Sequence, residues 1–443
     1  MSKKRPLKRS LTGLEIELST LNEKGEMVFE ADKLLQKVRK KDKNVDIIKE
    51  NSQNMIEIRS YPSTKVSNTA LNMLNSLQLV LEVAEQNDIV LFPHGTYPGK
   101  FIPRIRDDKW YQVKSGIIGR KRFLNAGLCF GYHNHYTLPK GVFDKKTKFL
   151  KNLVKSKIKE TLIDSYNLSI AMDPVLIALL QSSPFVQGKY IAKDSRVVIY
   201  RGDKGYKYNQ SIYSNLQQFG SLPRYKHTLS DLKLTLKSRY NQWKRMMVEN
   251  GYHPNGLAKQ TNILHFGWNP VKINKLGTLE QRGMDMNHPK YVIATSMLLK
   301  FVLMNVQRNF LKVIPSDIGV NEPFKLEGNI LYIPPYAHLK NKLQVYAAYD
   351  GLENKEIVNL CRRFLNFAKS CTKNEYMPVL KPIYDLFSQR KTVSDKIIQR
   401  FKKRGYTKKD IVPNDVSAEV ALMSCNQLFN EVEKTKSHVK NLI

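Results

Sequence analysis

Three short segments of this chain place charged side chains at alternate positions of otherwise apolar stretches. They are residues 14–18 (LEIEL), 55–59 (MIEIR) and 278–282 (TLEQR). Side chains two residues apart on a β-strand share one face of the sheet. Glu15 and Glu17 therefore point to one face, and the leucines and isoleucine around them point to the other. The pattern predicts a sheet with one apolar face and one face of carboxylates and arginines, which need metal ions or basic partners to stay ionised.

The net charge of the chain restricts its partners. The 443 residues include 73 Lys+Arg and 39 Asp+Glu, a formal charge of +34. Such a charge attracts anions, including nucleotides, acidic metabolites, nucleic acid and acidic proteins. Because the lysines are scattered rather than confined to one block, a generally lysine-rich composition explains the charge equally well.

Cysteine spacing and hydropathy indicate a cytoplasmic protein with no membrane partner. The start, Met1–Arg5, is basic, but Glu15 and Glu17 interrupt what would be the apolar core of a signal peptide. No uncharged run approaches the length of a membrane span. Reduced thiols are expected, because no C-x-x-C pair or zinc-finger spacing relates the four cysteines. They are Cys129, Cys361, Cys371 and Cys425.

Hydrophobic periodicity predicts strands mixed with helices, without regular β-α-β alternation, which indicates the α+β class. Strands are predicted at 11–20, 54–60, 89–92, 124–138, 262–268 and 276–284, and helices at 28–42, 66–87, 145–163, 173–182 and 288–311. Beyond about residue 345 the pattern changes to basic helices. We therefore predict a catalytic domain over 1–345, with a variable insertion at 188–260, and a basic helical region over 346–443.

A nucleotide would have to bind here without a glycine-rich phosphate loop. The segment 95–100 is too short for one, and no G-x-G-x-x-G occurs. Metal ions on carboxylates, together with arginines, could hold the phosphates instead, since carboxylate oxygens are the ligands that Mg²⁺ prefers.

The acids supply such a site. Glu50 lies seven residues before Glu57. If Glu50 ends one strand and the chain bends through 51–54, Glu57 returns beside it. With Glu15, Glu17 and Glu280 on similar segments, these carboxylates predict a metal cluster.

Two histidines join the acids. In Gly131-Tyr132-His133-Asn134-His135, the histidines share a strand face. A single histidine there would more often be a hydrogen-bonded core residue, whereas two at i and i+2 favour metal ligation or phosphate contact. Among carboxylates the site would be rich in oxygen, which suits Mg²⁺ or Mn²⁺ better than zinc.

Taken in order, the motifs resemble those of the glutamate–cysteine ligase and carboxylate–amine ligase superfamily over about residues 11–310. The matching segments are 13–17, 50–58, the turn 95–98 (GTYP), 131–135, 173–188 ending in SSPFVQG, 195–196, 277–282 (GTLEQR) and 285–287 (DMN). The resemblance implies a mostly antiparallel, curved sheet of the glutamine synthetase type, with helices on its outer face. A third acid, common in the family's first motif, is absent. Apart from 195–196, neither 188–260 nor the C-terminal region matches a family motif.

The resemblance also implies roles for individual residues. Two or three Mg²⁺ ions, bridged by the phosphates of ATP, would be held by Glu15, Glu17, Glu50, Glu57, His133 and Glu280. Arg282 would lie against the transferring γ-phosphoryl group, with Glu280 as the second catalytic residue and Asp285 as a further nucleotide contact. The substrate-binding residues would be Arg196, which would orient a substrate carboxylate, and His135 and Arg59.

The reaction implied is phosphorylation of a carboxylate, the γ-carboxyl of glutamate being favoured, followed by attack of an amine on the acyl phosphate. A second hypothesis keeps this chemistry but uses an acidic peptide or protein as the acceptor, because of the +34 charge. A third is a catalytically inactive relative that binds nucleic acid through the basic C-terminal stretch, with Phe401 and Tyr406 stacking on bases. A homodimer is compatible with each of them.

Overall fold

The computed structural model describes residues 10–152, 156–202, 204–253 and 262–442. The basic start Met1–Arg5, and residues 203 and 254–260 of the predicted insertion, lie outside the described residues. The protein is 52% helical and 16% strand, and its main sheet is antiparallel. The predicted α+β class is therefore confirmed.

The largest sheet has seven strands among the described residues, in the order β10-β11-β5-β1-β3-β2, with β4 beside the end of β1. Every pair in it is antiparallel. Three smaller sheets are formed by β12-β14-β13, β6-β7 and β8-β9. The strands are β1 (Thr12–Leu21), β2 (Asp46–Lys49), β3 (Met55–Arg59), β4 (Val90–Phe92), β5 (Gly131–Thr137), β6 (Phe143–Asp144), β7 (Phe149–Leu150), β8 (Phe185–Val186), β9 (Lys189–Tyr190), β10 (Val271–Asn274), β11 (Thr278–Asp285), β12 (Lys312–Pro315), β13 (Leu326–Glu327) and β14 (Ile330–Ile333).

Helices surround this sheet, and short 3₁₀ and π turns join several of them. The helices are α1 (Ala31–Lys41), α2 (Val66–Glu85), α3 (Lys109–Ile118), α4 (Arg120–Leu124), α5 (Lys157–Ala171), α6 (Asp173–Leu180), α7 (Ser195–Arg201), α8 (Gln217–Gly220), α9 (Leu229–Glu249), α10 (Pro289–Asn309), α11 (Ile318–Asn321), α12 (Tyr336–His338), α13 (Gln344–Tyr349), α14 (Lys355–Cys371), α15 (Met377–Gln389), α16 (Val393–Lys402), α17 (Asn414–Cys425) and α18 (Leu428–Lys440).

Strand register determines which side chains meet on the polar face of the main sheet. Glu15 lies opposite Arg59 on β3 and opposite His133 on β5. Glu17 lies opposite Glu57. Because side chains alternate along a strand, a shift of one residue would send these charges into the apolar face, so burial of that face enforces the register.

The apolar face is covered by α2 and α10. On β5, Tyr132 bonds to Ser296 of α10, and the Tyr136 hydroxyl donates to Gln307 at 3.0 Å. The apolar residues of β1, such as Leu14 and Leu18, are almost fully buried. Each such side chain contributes roughly 1.5–3 kcal/mol to stability.

The C-terminal helices extend this layer outward. Helices α14, α15 and α18 pack on α10, and α18 also packs along α2. One continuous cluster of buried apolar side chains runs from Leu14 to Val439. The region after 346 is helical, while its separation from the rest as a domain remains a prediction.

A second buried cluster is rich in aromatic side chains. Trp110 of α3, Trp243 of α9 and Phe266 belong to it, together with Trp268. The Arg282 guanidinium lies 5.8 Å from the Trp268 ring, so this cluster borders the polar face of the sheet.

Three predicted elements are wrong in part. Residues 124–130 form the end of α4 and a 3₁₀ turn before β5 begins, and the helix predicted at 145–163 begins only at Lys157. Residues 153–155 lie outside the described residues. The strand predicted at 262–268 is a series of turns, because Phe266 and Trp268 pack into the aromatic cluster and the Trp268 N–H bonds to the Phe219 carbonyl.

No single helix among the described residues has the length and hydropathy needed to cross a membrane. Helices α5 and α6, bent by 41° at their junction, meet the criterion only as a pair, and most of their side chains are buried in the protein core.

Phe401 cannot stack on bases as the nucleic-acid hypothesis requires. Its side chain is fully buried, and its ring lies 4.4 Å from that of Phe185. The apolar face of α16 turns inward, and this placement removes one of the two aromatic residues that supported the hypothesis.

Replacing Phe401 with alanine should lower the free energy of unfolding by about 3–5 kcal/mol, because it leaves a cavity against Phe185. Phe429→Ala, at an exposed site on α18, is the matched control and should cost about 0.5 kcal/mol or less. Denaturant unfolding of both variants measures the difference. Equal, small losses would contradict the packing described for α16.

Candidate active site

The polar face of the main sheet brings the predicted acids and histidines together. Three groups each offer ligand atoms that lie within 4.8 Å of one another. The groups are Glu15, Glu57 and His133; Glu15, His135 and Glu280; and Glu17, Glu50 and Glu57. All seven residues that the sequence nominated from these motifs are therefore neighbours, and Glu50 reaches Glu57 through the bend after β2.

Glu15 is held by the two histidines. His133 Nδ1 lies 3.0 Å from Glu15 Oε2, and His135 Nε2 lies 3.3 Å from Glu15 Oε1. Burial raises the pKa of Glu15, but the charges and hydrogen bonds of the histidines outweigh it, and the pKa falls well below its usual value. For His135 burial lowers the pKa, and Glu15 and Glu280 more than compensate, so the pKa is raised. Glu15 and His135 therefore each favour the charged form of the other.

Glu57 and Glu50 are in the opposite situation. Burial, and then the charges of Glu15, Glu50 and Glu17, raise the pKa of Glu57 well above its usual value. Burial and the charge of Glu17 likewise raise the pKa of Glu50. Carboxylates crowded in this way bind a divalent cation with relief of their repulsion, and the oxygen-rich donor set fits Mg²⁺ or Mn²⁺.

Cations line the other side of the acids. Arg282 Nε lies 3.5 Å from Glu280 Oε1. Burial raises the pKa of Glu280, but Arg282, Lys272 and His135 reverse this effect and lower it to about 2. Burial lowers the pKa of Lys272 to about 8 and, together with Arg282, that of Lys114 to about 8. Carboxylates and cations thus meet along β11, an arrangement that suits a metal-bound polyphosphate.

Arg196 is buried beside the acids, with two nitrogens, Nε and Nη1, that bond to no described acceptor. Its guanidinium lies 5.4 Å from the rings of Tyr200 and Trp268, and Nη2 donates to the Arg282 carbonyl at 3.3 Å. Gly131 allows this approach, because a Cβ there would collide with the guanidinium and press on Glu17. The glycine of the G-x-H-x-H strand is therefore required by Arg196.

Two predicted residues are placed less favourably. Arg59 lies at the edge of the polar face and pairs with Asp46 at 2.6 Å. Asp285 is fully buried and belongs to none of the three ligand groups; its Oδ2 accepts from the Ser182 N–H and the Ser183 hydroxyl. Their roles in binding substrate and nucleotide remain predictions that this geometry does not favour.

An open cleft of about 540 Å³ begins at Glu50. Trp110, Tyr111 and His265 line one part of it, and His265 stacks on Trp110 at 5.4 Å. The charged residues of its wall include Arg106, which pairs with Asp32 at 2.6 Å. The cleft can admit a substrate to the edge of the acid cluster.

Sequence reasoning missed Lys114, Lys272 and Thr278. Thr278 bonds to His135 Nδ1 at 2.8 Å. The alternation in Val271-Lys272-Ile273 could have revealed Lys272 as a strand residue on the face of Glu280, which lies opposite it. No local signal marks Lys114, because α3 reaches the site through the aromatic cluster.

The antiparallel sheet with carboxylates, histidines and arginines on one face defines a carboxylate–amine ligase architecture. The chain belongs to glutamate–cysteine ligase family 2 (GCS2), whose family model matches residues 11–288. No curated protein matches it in sequence.

Solved structures with a similar fold include two ligases. One is glutamate–cysteine ligase from Francisella tularensis in complex with AMP, with a TM-score of 0.58 and 13% identity over 98% of this chain and 92% of that one. The other is a bifunctional glutathione synthetase from Pasteurella multocida, with a TM-score of 0.56 and 14% identity over 95% of this chain. This chain covers 53% of the Pasteurella protein, about half its length.

Glu57→Gln tests the crowding of carboxylates. With divalent cations chelated, and at a pH above the raised pKa of Glu57, the folded state holds an ionised Glu57 at a cost, so the variant should melt about 2 °C or more above the wild type. As the pH falls through the raised pKa of Glu57 toward its usual 4.5, the wild type takes up the proton and the difference should shrink.

With Mg²⁺ or Mn²⁺ added, the wild type should melt at a higher temperature than Glu57→Gln, because a cation that binds only the folded state raises its melting temperature. Glu23→Gln, in an exposed turn, is the control for loss of charge. The crowding account fails if the chelated variant is clearly less stable than the wild type and the wild type gains nothing from either metal.

Proposed function

We propose that this protein is an ATP- and Mg²⁺-dependent ligase that activates a carboxylate as an acyl phosphate and joins it to an amine. The observation that carries the proposal is the convergence of seven acids and histidines into three mutually adjacent ligand groups beside Arg282. Membership of GCS2 supports the reaction class. A nucleotide substrate is supported by the AMP named with the Francisella structure.

The residues of the site fall into three sets by their proposed role. Glu15, Glu17, Glu57 and their neighbours would hold two or three Mg²⁺ ions, which when bound would neutralise phosphate charge. Arg282, with Lys272 and Lys114 nearby, would compensate the charge on the transferring phosphoryl group. Arg196, buried and with free donors, would orient the carboxylate of the substrate by a two-point hydrogen bond.

The proposed reaction has two steps. A carboxylate oxygen attacks the γ-phosphorus of ATP, the bond to the β-phosphate oxygen breaks, and ADP leaves. An amine then attacks the acyl carbon and forms the C–N bond. The C–O bond to phosphate breaks, the amine loses its proton, and inorganic phosphate leaves.

The favoured carboxylate is the γ-carboxyl of glutamate, an assignment supported by the names of the family and of the Francisella enzyme. The amine is left open, since 188–260 matches no family motif beyond 195–196. Cytoplasmic location and a homodimer remain predictions.

Incubation of purified protein with ATP, Mg²⁺, glutamate and a panel of amines should release ADP and phosphate and yield an amide detected by mass spectrometry. Arg282→Met should lower kcat by about 10²–10³-fold, because it removes a group that stabilises transition-state charge. No nucleotide turnover with any amine, while Glu280→Gln binds ATP as well as the wild type, would overturn the proposal.

Lys272→Met should raise the KM for ATP about tenfold or more, since a charge-assisted contact is lost from the phosphate side of the site. Lys275→Met is the matched control, because Lys275 lies on the same hairpin and is exposed. Steady-state kinetics with varied ATP measures both. Equal KM values in the two variants would exclude Lys272 from nucleotide binding.

A second candidate keeps this chemistry but uses an acidic polypeptide as the acceptor. It is favoured by exposed basic residues at Lys109, Arg120 and Lys121, on helices that neighbour the open cleft, and by the net charge of +34. Mass spectrometry of a cell extract after reaction would reveal modified polypeptide. Products confined to small molecules would exclude this candidate.

A further inference from the structure

Two buried carboxyl groups meet at Ser183, outside the acid cluster on the sheet: Ser183 forms an isolated bridge with Asp194, and its hydroxyl donates to Asp285 and accepts from the Arg196 N–H. Asp194 precedes α7, and Asp285 ends β11; neither side chain is exposed. Asp194 Oδ1 accepts from the Val197 N–H at 2.9 Å and caps α7. Asp285 Oδ2 accepts from the Ser182 N–H at 2.8 Å and from the Ser183 hydroxyl at 2.6 Å.

Each carboxyl group keeps one oxygen without a conventional donor. Asp194 Oδ2 and Asp285 Oδ1 accept no hydrogen bond from any donor in the described part of the chain. Buried polar atoms are normally paired, so both oxygens require an explanation. A hydrogen bond between two carboxyl groups supplies one, provided that one of the two is protonated.

The surrounding charges also favour a state in which one of the two carboxyl groups is protonated. Arg201 also faces Asp194, but it forms a two-point pair with Asp173, with Nη2 2.8 Å from Oδ1, and is thereby neutralised. The thiol of Cys129 has a pKa raised well above its usual value, chiefly by burial, and stays neutral. Among the described residues, Arg196 is the remaining cation that acts on both carboxyl groups, and a net buried charge is costly.

We propose that Asp194 and Asp285 share one proton, and that their single remaining negative charge holds Arg196 where it binds the carboxylate of the substrate. Both are positioning residues, since they act through the guanidinium. The role rests on the proposed function of Arg196.

The pKa shifts agree with this arrangement. Burial, and then the charge of Asp285, raise the pKa of Asp194 well above its usual value. Burial raises the pKa of Asp285 to about 6 against the opposing charge of Arg196, and the side-chain hydrogen bond with Asp194 favours its ionised form. Asp285 Oδ2 accepts two hydrogen bonds, which stabilise a carboxylate, whereas Asp194 Oδ1 accepts one, so we assign the proton to Asp194 and the negative charge to Asp285.

The shared proton has a consequence for substrate binding. If both groups were ionised, two negative charges near Arg196 would repel the carboxylate of the incoming substrate. With one proton retained, the charge of Arg196 balances the single charge on the two carboxyl groups, and the free Nε and Nη1 donors can bind the substrate carboxylate.

Infrared difference spectroscopy tests the proton directly, without relying on ligase activity. At about pH 7.5 the wild-type spectrum should contain a protonated carboxylic C=O band, shifted in D₂O, that Asp194→Asn removes. Asp164→Asn, a buried acid paired with Lys312, is the control and should leave that band in place.

Kinetics then tests the positioning role. The amide side chain introduced by Asp194→Asn can still cap α7 and donate to Asp285, so this variant should keep the KM for the carboxylate substrate within about threefold of the wild type. Asp285→Asn removes the charge that holds Arg196 and should raise that KM about tenfold or more with a smaller change in kcat.

The outcomes separate the two proposals. If no carboxylic band is lost in Asp194→Asn, the shared proton is disproved whatever the enzyme does. If the band is lost but both variants raise KM equally, the positioning role is disproved. If the band behaves as expected and the wild type turns over no nucleotide, the proton assignment stands and the ligase proposal fails. Melting temperatures show whether either variant fails to fold. If one does, the carboxylic band of the wild type and its loss at high pH test the shared proton instead.

Discussion

Repulsion among carboxylates on one face of a sheet is the constraint on which this structure depends. Glu57 lies within ligand distance of Glu15 in one group and of Glu17 and Glu50 in another. The apolar reverse face fixes the register, and so fixes this crowding, because the strands cannot slip without burying charge. Folding therefore creates an unfavourable repulsion among carboxylates at the site, and a bound cation would relieve that repulsion.

The opposing charges are arranged in order along the sheet. The histidines of β5 stabilise Glu15, and Arg282 and Lys272 stabilise Glu280. Among the described residues, Arg59 is the cation that most stabilises an ionised Glu57. Arg59 is itself paired with Asp46. The carboxylates around Glu57 are therefore the part of the face with the strongest demand for a metal ion, while the side near β11 is suited to anionic phosphate.

Alternation within single strands was enough to predict β1, β3, β11 and the face that each presents. Helices α2 and α10 were predicted from their apolar periodicity, and the ordered motifs identified the family. Contacts between residues far apart in the sequence could not be predicted from these local patterns. Lys114 reaches the site only through aromatic packing of α3, Phe401 is buried by Phe185, and Trp268 follows the second cluster rather than the sheet. The pairing of Asp194 with Asp285 likewise depends on how α7 meets the end of β11.

The central claim is that the polar face binds divalent cations together with a nucleotide. Electron paramagnetic resonance of Mn²⁺, titrated into the protein with a non-hydrolysable ATP analogue, measures this directly. The account predicts two or three bound ions per chain in the wild type and fewer in Glu15→Gln, whose side chain belongs to two of the three ligand groups. Absence of bound Mn²⁺ in the wild type, or an unchanged number in the variant, would contradict it.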